Sequence, residues 1–460
     1  MAPESTPSSS HMSRIARSPG LKLLIIAGLT VLMAIPLFFI QLALSDREQT
    51  AAGAAADIAQ GYGGPQTVAG PVLLLPYTVK STEVVDGRTY ETTQSNVAVV
   101  LPEDLKFDVH ATTGTRYRGI FPVPVYQAAV AMRASFDKAS MTAWAPPDAQ
   151  IDWKNASMAV LVSDAHGLAD NVVLNINGQA VPFEPGPGLK PAGAPFLDKP
   201  VQVSGMRAKL DLSEAADLKL DTKFTLRGSR EFSVSPLGRR TVANVDSSWS
   251  SPSFFGAYLP TTRQIGKDGF KASWTVPYLA RGFGQSFTDS GAALQSILRP
   301  AFGAKFYQPV DHYQLVARSL KYAILFVALA FLVFFVVETV SQRRIHFVQY
   351  ALVGAAQVLF YLLLLSVAEH VGFATAYLIA AGATVILTSL YAISALDGKL
   401  RAAVLCLILT GLYGLLYVIL RSEDFALLIG SGVLFAALAG TMYFTRKIDW
   451  YRVTEHNAAE

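Results

Sequence analysis

The sequence predicts an α-helical membrane protein with six transmembrane helices, arranged one plus five, and a large all-β domain between the first helix and the second. Two observations predict this fold class. Six apolar segments are each about 19 to 26 residues long, which as helices span the roughly 30 Å hydrocarbon core of a bilayer. A long stretch of ordinary soluble composition separates the first segment from the other five. The six segments are Leu21–Leu44, Leu320–Val340, Phe347–Ala368, Val371–Leu396, Ala402–Leu420 and Phe425–Phe444.

Basic residues beside these segments indicate the side of the membrane, because Lys and Arg are enriched in cytoplasmic loops. The two short loops on the opposite side carry one basic residue between them, Arg421. We therefore expect both termini in the cytoplasm and the large domain outside. The basic residues on the cytoplasmic side are Arg14, Arg17, Lys22, Arg343, Arg344, Lys399, Arg401, Arg446, Lys447 and Arg452.

The spans divide the chain into five parts. The N-terminal part is rich in Ser and Pro and is expected to be disordered; whether residues 1–12 belong to the natural chain stays open. The first span is expected to remain as an anchor, because its apolar run exceeds the about 7 to 15 residues of a signal-peptide core. The Ala-rich segment after it, Asp46–Gln60, is expected to continue as a helix. The parts are a disordered N-terminus (1–20), a first helix (21–44), a β-rich domain (45–318), a five-helix bundle (319–445) and a cytoplasmic tail (446–460).

The large domain has the pattern of β-strands joined by turns. Asp86-Gly87 and Asn177-Gly178 lie between short strand-like runs, and both supply the positive φ angles of a two-residue hairpin turn. Apolar and polar residues alternate through Leu218–Leu226, as in a strand with one buried face. We therefore expect an all-β, sandwich-like domain with few helices. Two similar β units, beginning at Arg118-Gly119 and Arg227-Gly228, are an open alternative.

A glycine-rich stretch, Gly63-Gly-Pro-Gln-Thr-Val-Ala-Gly-Pro-Val72, follows the predicted first helix. A phosphate-binding loop would need a Lys-Ser/Thr pair after a strand, and neither is present. The stretch is better explained as a structural joint leading into a buried strand, Val72–Leu75, and we expect Gly64→Val to reduce the amount of folded protein. The joint residues are Gly63, Gly64, Pro65, Gly70 and Pro71.

The segment outside the spans shows no recognisable catalytic or metal-binding pattern. Asp108/His110 and Asp164/His166 could share a strand face, but surface polar groups explain them better than a metal site. The sequence has no Gly-x-Ser-x-Gly motif, and its one cysteine, Cys406, lies inside a span. Residues 45–318 contain 26 Lys and Arg against 25 Asp and Glu, which gives no sign of a nucleic-acid partner. We expect a non-enzymatic protein without a cofactor.

The spans themselves lack ionisable residues near their centres, although ion-coupled transporters commonly place them there. Glu338 and Glu369 fall at span ends, and Gln357 is expected to bond a neighbouring helix. Small residues recur every four positions in two spans and predict close helix packing, either within the chain or between chains in an oligomer. These candidate packing residues are Gly372, Ala376 and Ala380 in the fourth span and Gly432, Ala436 and Gly440 in the sixth.

Several stretches together resemble the CreD family of bacterial inner-membrane proteins. The resemblance runs from Arg17 to Tyr451 and includes the same one-plus-five helix arrangement. The stretches are Gly63–Val72, Ser251-Pro-Ser-Phe-Phe-Gly-Ala-Tyr-Leu259, Gln308-Pro-Val-Asp-His-Tyr313, Leu320-Lys-Tyr322, Arg421-Ser-Glu-Asp-Phe425 and Thr445-Arg-Lys-Ile-Asp-Trp-Tyr451.

This resemblance implies an inner-membrane protein of cell-envelope integrity with a periplasmic β domain, linked to envelope-stress responses and colicin tolerance. The family is associated with a sensor-kinase/response-regulator system, and no catalytic residues come with it. We expect the lipid bilayer and an unidentified envelope component or protein as partners. A transporter or lipid-handling protein that uses the helix bundle as a pathway is the alternative.

Overall fold

The computed structural model describes residues 19–85, 88–169, 172–189, 204–214, 217–306, 312–341, 345–395, 398–422 and 425–446. Several predictions fall outside these residues: the disordered start, the Asp86-Gly87 turn, the loop with Arg343 and Arg344, and the tail after Arg446. The described chain forms two compact units. A helical unit comprises Met1–Thr50 and Val310–Glu460, and a β domain comprises Ala51–Pro309.

Six of the described helices are long and apolar enough to span a membrane, one before the β domain and five after it. This confirms the predicted one-plus-five arrangement. The first helix continues past Leu44 to Tyr62, as its Ala-rich second half predicts. The helices are α1 (Pro19–Tyr62), α2 (Lys138–Thr142), α3 (Ser290–Leu298), α4 (His312–Ser341), α5 (Phe347–Val371), α6 (Phe373–Ala395), α7 (Lys399–Arg421) and α8 (Ala426–Thr445).

Eighteen described strands build the β domain. They are β1 (Gln66–Val85), β2 (Arg88–Val100), β3 (Asp104–Arg118), β4 (Phe121–Phe136), β5 (Gln150–Ile151), β6 (Ala156–Val162), β7 (Val173–Ile176), β8 (Gln179–Pro182), β9 (Glu184–Pro185), β10 (Ser204–Leu210), β11 (Leu218–Ser229), β12 (Glu231–Val234), β13 (Arg240–Ser247), β14 (Pro252–Gly256), β15 (Thr262–Gly266), β16 (Gly269–Pro277), β17 (Ser286–Phe287) and β18 (Phe302–Phe306).

The strands form two mixed sheets, and the described strands close neither of them into a barrel. The ten-stranded sheet has the order β14-β18-β12-β1-β6-β10-β9, with β2, β5 and β17 attached beside this path. The eight-stranded sheet has the order β15-β16-β13-β3-β4-β11-β7-β8. The pairs β1–β12 and β3–β13 are parallel, and the other described pairs are antiparallel.

The two sheets pack face to face around one hydrophobic core, as in a sandwich. Aromatic rings cross between them: Trp274 of β16 contacts Phe254 of β14 at 5.7 Å and Phe302 of β18 at 5.4 Å between centroids. In β11 every second side chain is buried, which confirms the alternation predicted for Leu218–Leu226. Asn177 and Gly178 have φ angles of 49° and 89° and form the predicted hairpin turn between β7 and β8.

The two sheets differ in their exposure. In the ten-stranded sheet Val72–Leu75 of β1 are buried on both faces, as predicted for this strand. In the eight-stranded sheet one face of each central strand is polar and exposed.

The two Arg-Gly pairs that suggested a repeat occupy different positions, because Arg118-Gly119 begins the β3–β4 turn and Arg227-Gly228 lies inside β11. Strands from both halves of the domain share each sheet.

Candidate functional site

The exposed face of the eight-stranded sheet carries the main candidate binding surface. Alternate residues of a strand point to opposite faces, so one side of β3, β4, β11 and β13 presents polar side chains. Register places Lys106 beside Arg133 and Asp221 beside Arg133 on adjacent strands. A groove of about 870 Å³ runs across this end of the face. Its polar lining residues are Asp104, Lys106, Arg133, Ser135, Asn175, Asn177, Lys219, Asp221 and Arg240.

Positive charge exceeds negative charge in this groove. Arg133 Nε lies 3.3 Å from Asp221 Oδ2, and both side chains are about half exposed. In the part of the chain that the structure describes, no ion pair involves Lys219 or Arg240. Nonpolar atoms line most of the groove, and Val242 together with the aliphatic stems of the long basic side chains supplies such atoms. The groove therefore suits a ligand with both acidic groups and nonpolar parts.

Asp108 lies next to the groove and is ionised by its neighbours. Burial alone would raise its pKa, but hydrogen bonds from Asn244 and Lys106 and the charge of Lys106 lower the pKa below its ordinary value. The Lys106 ammonium is 3.2 Å from the Asp108 carboxylate, and the Asn244 amide donates at 2.8 Å. Asp108 thus holds Lys106 and Asn244 in fixed positions on the exposed face.

Two smaller cavities, of about 410 and 430 Å³, lie further along the same face. His110, which lines the first, pairs with Asp246, which lines the second. Asp108 and His110 therefore contact different partners and do not form a shared site. His166 contacts Asp164 at 2.8 Å and has a mostly exposed ring. Among the described residues no group of three or more His, Cys, Asp or Glu could hold a metal ion.

The predicted joint is clamped between two other segments of the β domain. Gly63 has a φ of +115°, and a Cβ there would lie 2.6 Å from the carbonyl oxygen of Arg227. The Gly64 amide donates to Asp164 Oδ2 at 3.2 Å, and its carbonyl accepts from the Ser229 amide at 3.1 Å. Only glycine fits the conformation and space at Gly63, whereas a Cβ at Gly64 would meet only Asp164 Oδ2, at 3.9 Å.

Gln66, which follows the joint, connects the same two segments. Its side chain is 1% exposed. Its amide nitrogen donates to the carbonyls of Asp164 and Arg227 at 2.9 and 3.1 Å, and its oxygen accepts from the Asp164 amide at 3.2 Å. Gln66 belongs to no recognisable sequence motif. The isolated polar Gln within a glycine- and valine-rich strand was the available signal, since a buried amide needs several partners.

The second half of the joint lies inside the ten-stranded sheet. Gly70 has a φ of +150°, and the Gly70–Pro71 peptide bond is cis. Here the pairing of β1 with β6 shifts register between Ala69 and Val72. Gly70 and Pro71 thus lie in β1, and Pro65 directly precedes it. That these five residues act as a structural joint stays a prediction.

Asp164 is the charged centre of the joint. Burial would raise its pKa, but hydrogen bonds from the side chain and the backbone amide of His166 and from the Gly64 amide lower the pKa below its ordinary value. The His166 amide donates at 3.0 Å to one oxygen, and the Gly64 amide donates to the other. An ionised carboxylate with these donors fixes the loop after β6 against the start of β1.

At one end of the helical unit, Glu338 of α4 is buried and fully satisfied. Its carboxylate pairs with Lys22 of α1 and accepts from the Tyr350 hydroxyl at 2.8 Å and the Ile345 amide at 2.9 Å. The Lys22 ammonium also donates to the Ile345 carbonyl at 2.8 Å. The position at a span end was predicted. The ionic partner on α1 was not.

At the other end of the same unit, Glu369 of α5 has an equivalent arrangement. Its side chain is 6% exposed, its Oε1 lies 3.6 Å from Arg47 Nε of α1, and the Tyr313 hydroxyl donates to it at 3.0 Å. Lys22 and Arg47 are 25 residues apart on α1, which is about 37 Å of helix. Along α1 the two pairs are therefore separated by about the thickness of a bilayer.

Between the two pairs, the described core of the bundle contains neutral polar contacts. The Tyr413 hydroxyl of α7 donates to Gln357 Oε1 of α5 at 2.5 Å, which confirms that Gln357 bonds a neighbouring helix. The Tyr377 hydroxyl of α6 donates to the Tyr413 carbonyl at 2.6 Å. These bonds join α5, α6 and α7 without a buried charge.

The small-residue stripes differ in their surroundings. Ala376 and Ala380 are completely buried against other helices. Gly372 lies outside α6, in the turn after α5, with a φ of +79°, so it ends one helix instead of packing a second. Gly432 and Ala436 are exposed in the single chain, and a Cβ at Gly432 or Gly440 would meet no atom within 4 Å. A contact between chains at this stripe stays a prediction.

Comparisons with known proteins agree over nearly the whole chain. A family model described as "Inner membrane protein CreD" matches residues 18–451. A curated relative, the inner membrane protein CreD of Escherichia coli (strain K12), is 35% identical over 424 residues. This match covers 92% of this chain and 92% of that protein.

Proposed function

The chain belongs to the CreD family of multi-pass inner-membrane proteins, and on this premise we propose that it is a non-enzymatic envelope protein whose β domain binds an acidic envelope component. The groove on the eight-stranded sheet is the binding surface. Support for envelope stress as the setting comes from the family resemblance. Support for binding of an acidic component comes from the groove and its excess of basic residues.

One observation carries this proposal: the 870 Å³ groove combines unpaired basic groups with a largely nonpolar lining. In the described residues Lys219 and Arg240 lie at its border without ion-pair partners, so a bound carboxylate or phosphate would gain charge-assisted hydrogen bonds. The exposed aliphatic stems offer nonpolar contact. An envelope polymer or peptide with acidic groups has both properties.

Binding is favoured over catalysis by the partners of the polar groups. Asp221 is paired with Arg133, and Asp108 with Lys106. A general base needs a carboxylate or histidine that is free to accept a proton near the reacting group, whereas these two carboxylates are occupied by Arg133 and Lys106. Asp104 is the remaining carboxylate that lines the groove, and it lies beside Arg240 on the neighbouring strand. The buried charges of the helical unit likewise have partners on α1, so they are explained by helix packing without an ion pathway.

The proposed topology places both termini in the cytoplasm and the β domain in the periplasm. The distribution of basic residues supports it, as does the 25-residue spacing of Lys22 and Arg47 on α1. In this arrangement the Lys22–Glu338 pair is cytoplasmic and the Arg47–Glu369 pair is periplasmic. The groove then faces the compartment that contains the envelope polymers.

A photocrosslinking amino acid at Asn175, at the border of the groove, tests the proposal in living cells. We expect an adduct of reproducible mass that is lost when Lys219→Glu and Arg240→Glu are combined, because reversed charges repel an acidic ligand. Lys267→Glu is the control: Lys267 is also exposed, in the turn between β15 and β16, and does not line the groove. The charge-reversed variant that loses the adduct should also survive envelope stress less well. Normal survival with an abundant charge-reversed protein would overturn this function.

A further inference from the structure

We propose that the tip of the β3–β4 hairpin is a membrane-contact surface that binds phospholipid headgroups. The tip comprises residues 115–124. This inference concerns a different part of the β domain from the groove and does not depend on the groove's ligand.

Both chain connections to the membrane spans leave the β domain where this hairpin begins. Gly64, two residues after α1, accepts a hydrogen bond from the Ser229 amide at 3.1 Å. Phe306, six residues before α4, donates to the Arg230 carbonyl at 2.8 Å. The Arg230 amide donates in turn to Pro124 in the hairpin at 3.1 Å. The turn at Ser229 and Arg230 therefore joins the entry point, the exit point and the hairpin base.

The hairpin projects beyond the rest of its sheet. The neighbouring strand β11 pairs with β4 only as far as Val125, and β13 pairs with β3 only as far as Ala111. The ladder between β3 and β4 continues to the pair Arg118 and Phe121. Tyr117 is 69% exposed and Ile120 is 43% exposed in this projection. Exposed Tyr and Ile on a projecting turn suit the boundary between water and lipid, where Tyr is enriched.

The hairpin also lies along the last turns of α1, which belong to the β domain. Arg116 lies over the ring of Tyr62 at 5.5 Å, whereas Arg118, nearer the tip, pairs with Asp57 at 3.4 Å. Asp57 is thirteen residues beyond Leu44, the predicted end of the span, which corresponds to at most about 20 Å of helix.

The charge of this end complements phospholipid phosphates. Arg and Lys near a membrane surface are attracted by anionic lipids, and Arg binds phosphate with paired hydrogen bonds. Two acidic residues at this end, Asp57 and Glu231, each pair with a basic residue. A third, Asp164, is contacted by the ring and the amide of His166 and by the Gly64 amide. The exposed basic residues at this end are Arg116, Arg118, Arg227, Arg230 and Lys305.

Spin labels on the full-length protein in vesicles test this inference. The native cysteine is replaced by Cys406→Ala, and a label is attached to Tyr117→Cys in vesicles of phosphatidylethanolamine and phosphatidylglycerol. Leu279→Cys is the matched control, because Leu279 is 92% exposed and lies two residues after Pro277. Pro277 pairs with Arg240 at the end of the sheet opposite the hairpin tip.

At position 117 we expect a several-fold higher ratio of oxygen accessibility to accessibility for a water-soluble nickel complex than at position 279. Arg116→Gln combined with Arg118→Gln should lower that ratio at position 117, and so should vesicles of phosphatidylcholine alone. Equal ratios at the two positions would mean that the tip is in water and would overturn the inference. Exclusion of both reagents at position 117 would indicate a protein contact, such as a second copy of the chain, and would overturn it as well.

Discussion

Lys22 of α1 and Glu338 of α4 form a partly buried ion pair although 316 positions separate them in the sequence. The Glu338 carboxylate has three donors: the Lys22 ammonium, the Tyr350 hydroxyl and the Ile345 amide. Each of these hydrogen bonds offsets part of the cost of burying the carboxylate. The pair joins the first helix, which lies before the β domain in sequence, to the bundle that follows it.

Removing Lys22 should destabilise the helical unit. In Lys22→Met the Glu338 carboxylate stays buried without its cation, which costs about 1 to 3 kcal/mol after allowance for the quarter of the Lys22 side chain that is exposed. Thermal unfolding of the purified protein in detergent measures the effect. Lys22→Met with Glu338→Met should recover most of the loss, since a buried ion pair is often replaceable by nonpolar residues. Additive losses in the double variant would contradict an interaction between the two residues.

Gly63 and Gly64 should differ sharply in their tolerance of a side chain. Gly63→Ala forces an L-residue to a φ of +115° with its Cβ against the Arg227 carbonyl, and should cost at least about 2 kcal/mol. Gly64→Ala is the matched control and should change stability by less than about 1 kcal/mol. The sequence led us to expect that Gly64→Val is disruptive. The Cβ distances instead identify Gly63 as the position that tolerates a side chain less well. Folded protein in the membrane, measured by protease resistance of the β domain, distinguishes the two variants; equal losses would contradict this geometry.

The local parts of the fold were predictable, whereas the contacts between distant segments were not. The alternation in Leu218–Leu226 predicts a half-buried strand because a period of two depends only on neighbouring residues. Nothing local indicates that Gln66 pairs in parallel with Phe232, or that its side chain reaches the Asp164 loop. The groove likewise depends on distant segments. It forms only when β3, β4, β11 and β13 lie side by side, so no local sequence motif predicts it.

The Asp164 carboxylate should make the stability of the β domain depend on pH. Because its pKa is lowered in the folded protein, its contribution is fully present above the unfolded pKa of about 3.9 and is lost as the pH falls through the lower, folded pKa. Asp164→Asn should therefore cost about 1 to 2 kcal/mol at pH 7 and progressively less below pH 4. Urea unfolding followed by tryptophan fluorescence measures this. A pH-independent difference between the two proteins would show that the charge of Asp164 is not what stabilises the joint.

Reporter fusions test the proposed topology. A reporter fused after residue 60 should report the periplasm, and the same reporter fused after Tyr451 should report the cytoplasm, because the basic residues beside the spans favour these sides. Alkaline phosphatase, which is active in the periplasm, and a second reporter that is active in the cytoplasm are each fused at both positions. Matching compartments at the two positions would contradict six crossings with the β domain outside.

Activity should not depend on an ionisable residue within the membrane. Glu338 and Glu369 are the buried carboxylates of the described helical unit, and each is neutralised by a basic residue of α1 and contacted by a tyrosine hydroxyl. Burying a charge near the bilayer centre costs at least about 2.5 to 3.5 kcal/mol, and this chain avoids that cost because both pairs lie at the ends of the apolar spans. Glu338→Gln with Glu369→Gln removes the charges and keeps one acceptor oxygen at each position, so we expect lower thermal stability but normal survival of envelope stress. Glu48→Gln, on the exposed surface of α1, is the matched control. If the double variant is folded and inserted at normal levels and still behaves as a null, the two glutamates take part in moving an ion, and a coupled transporter replaces the binding function.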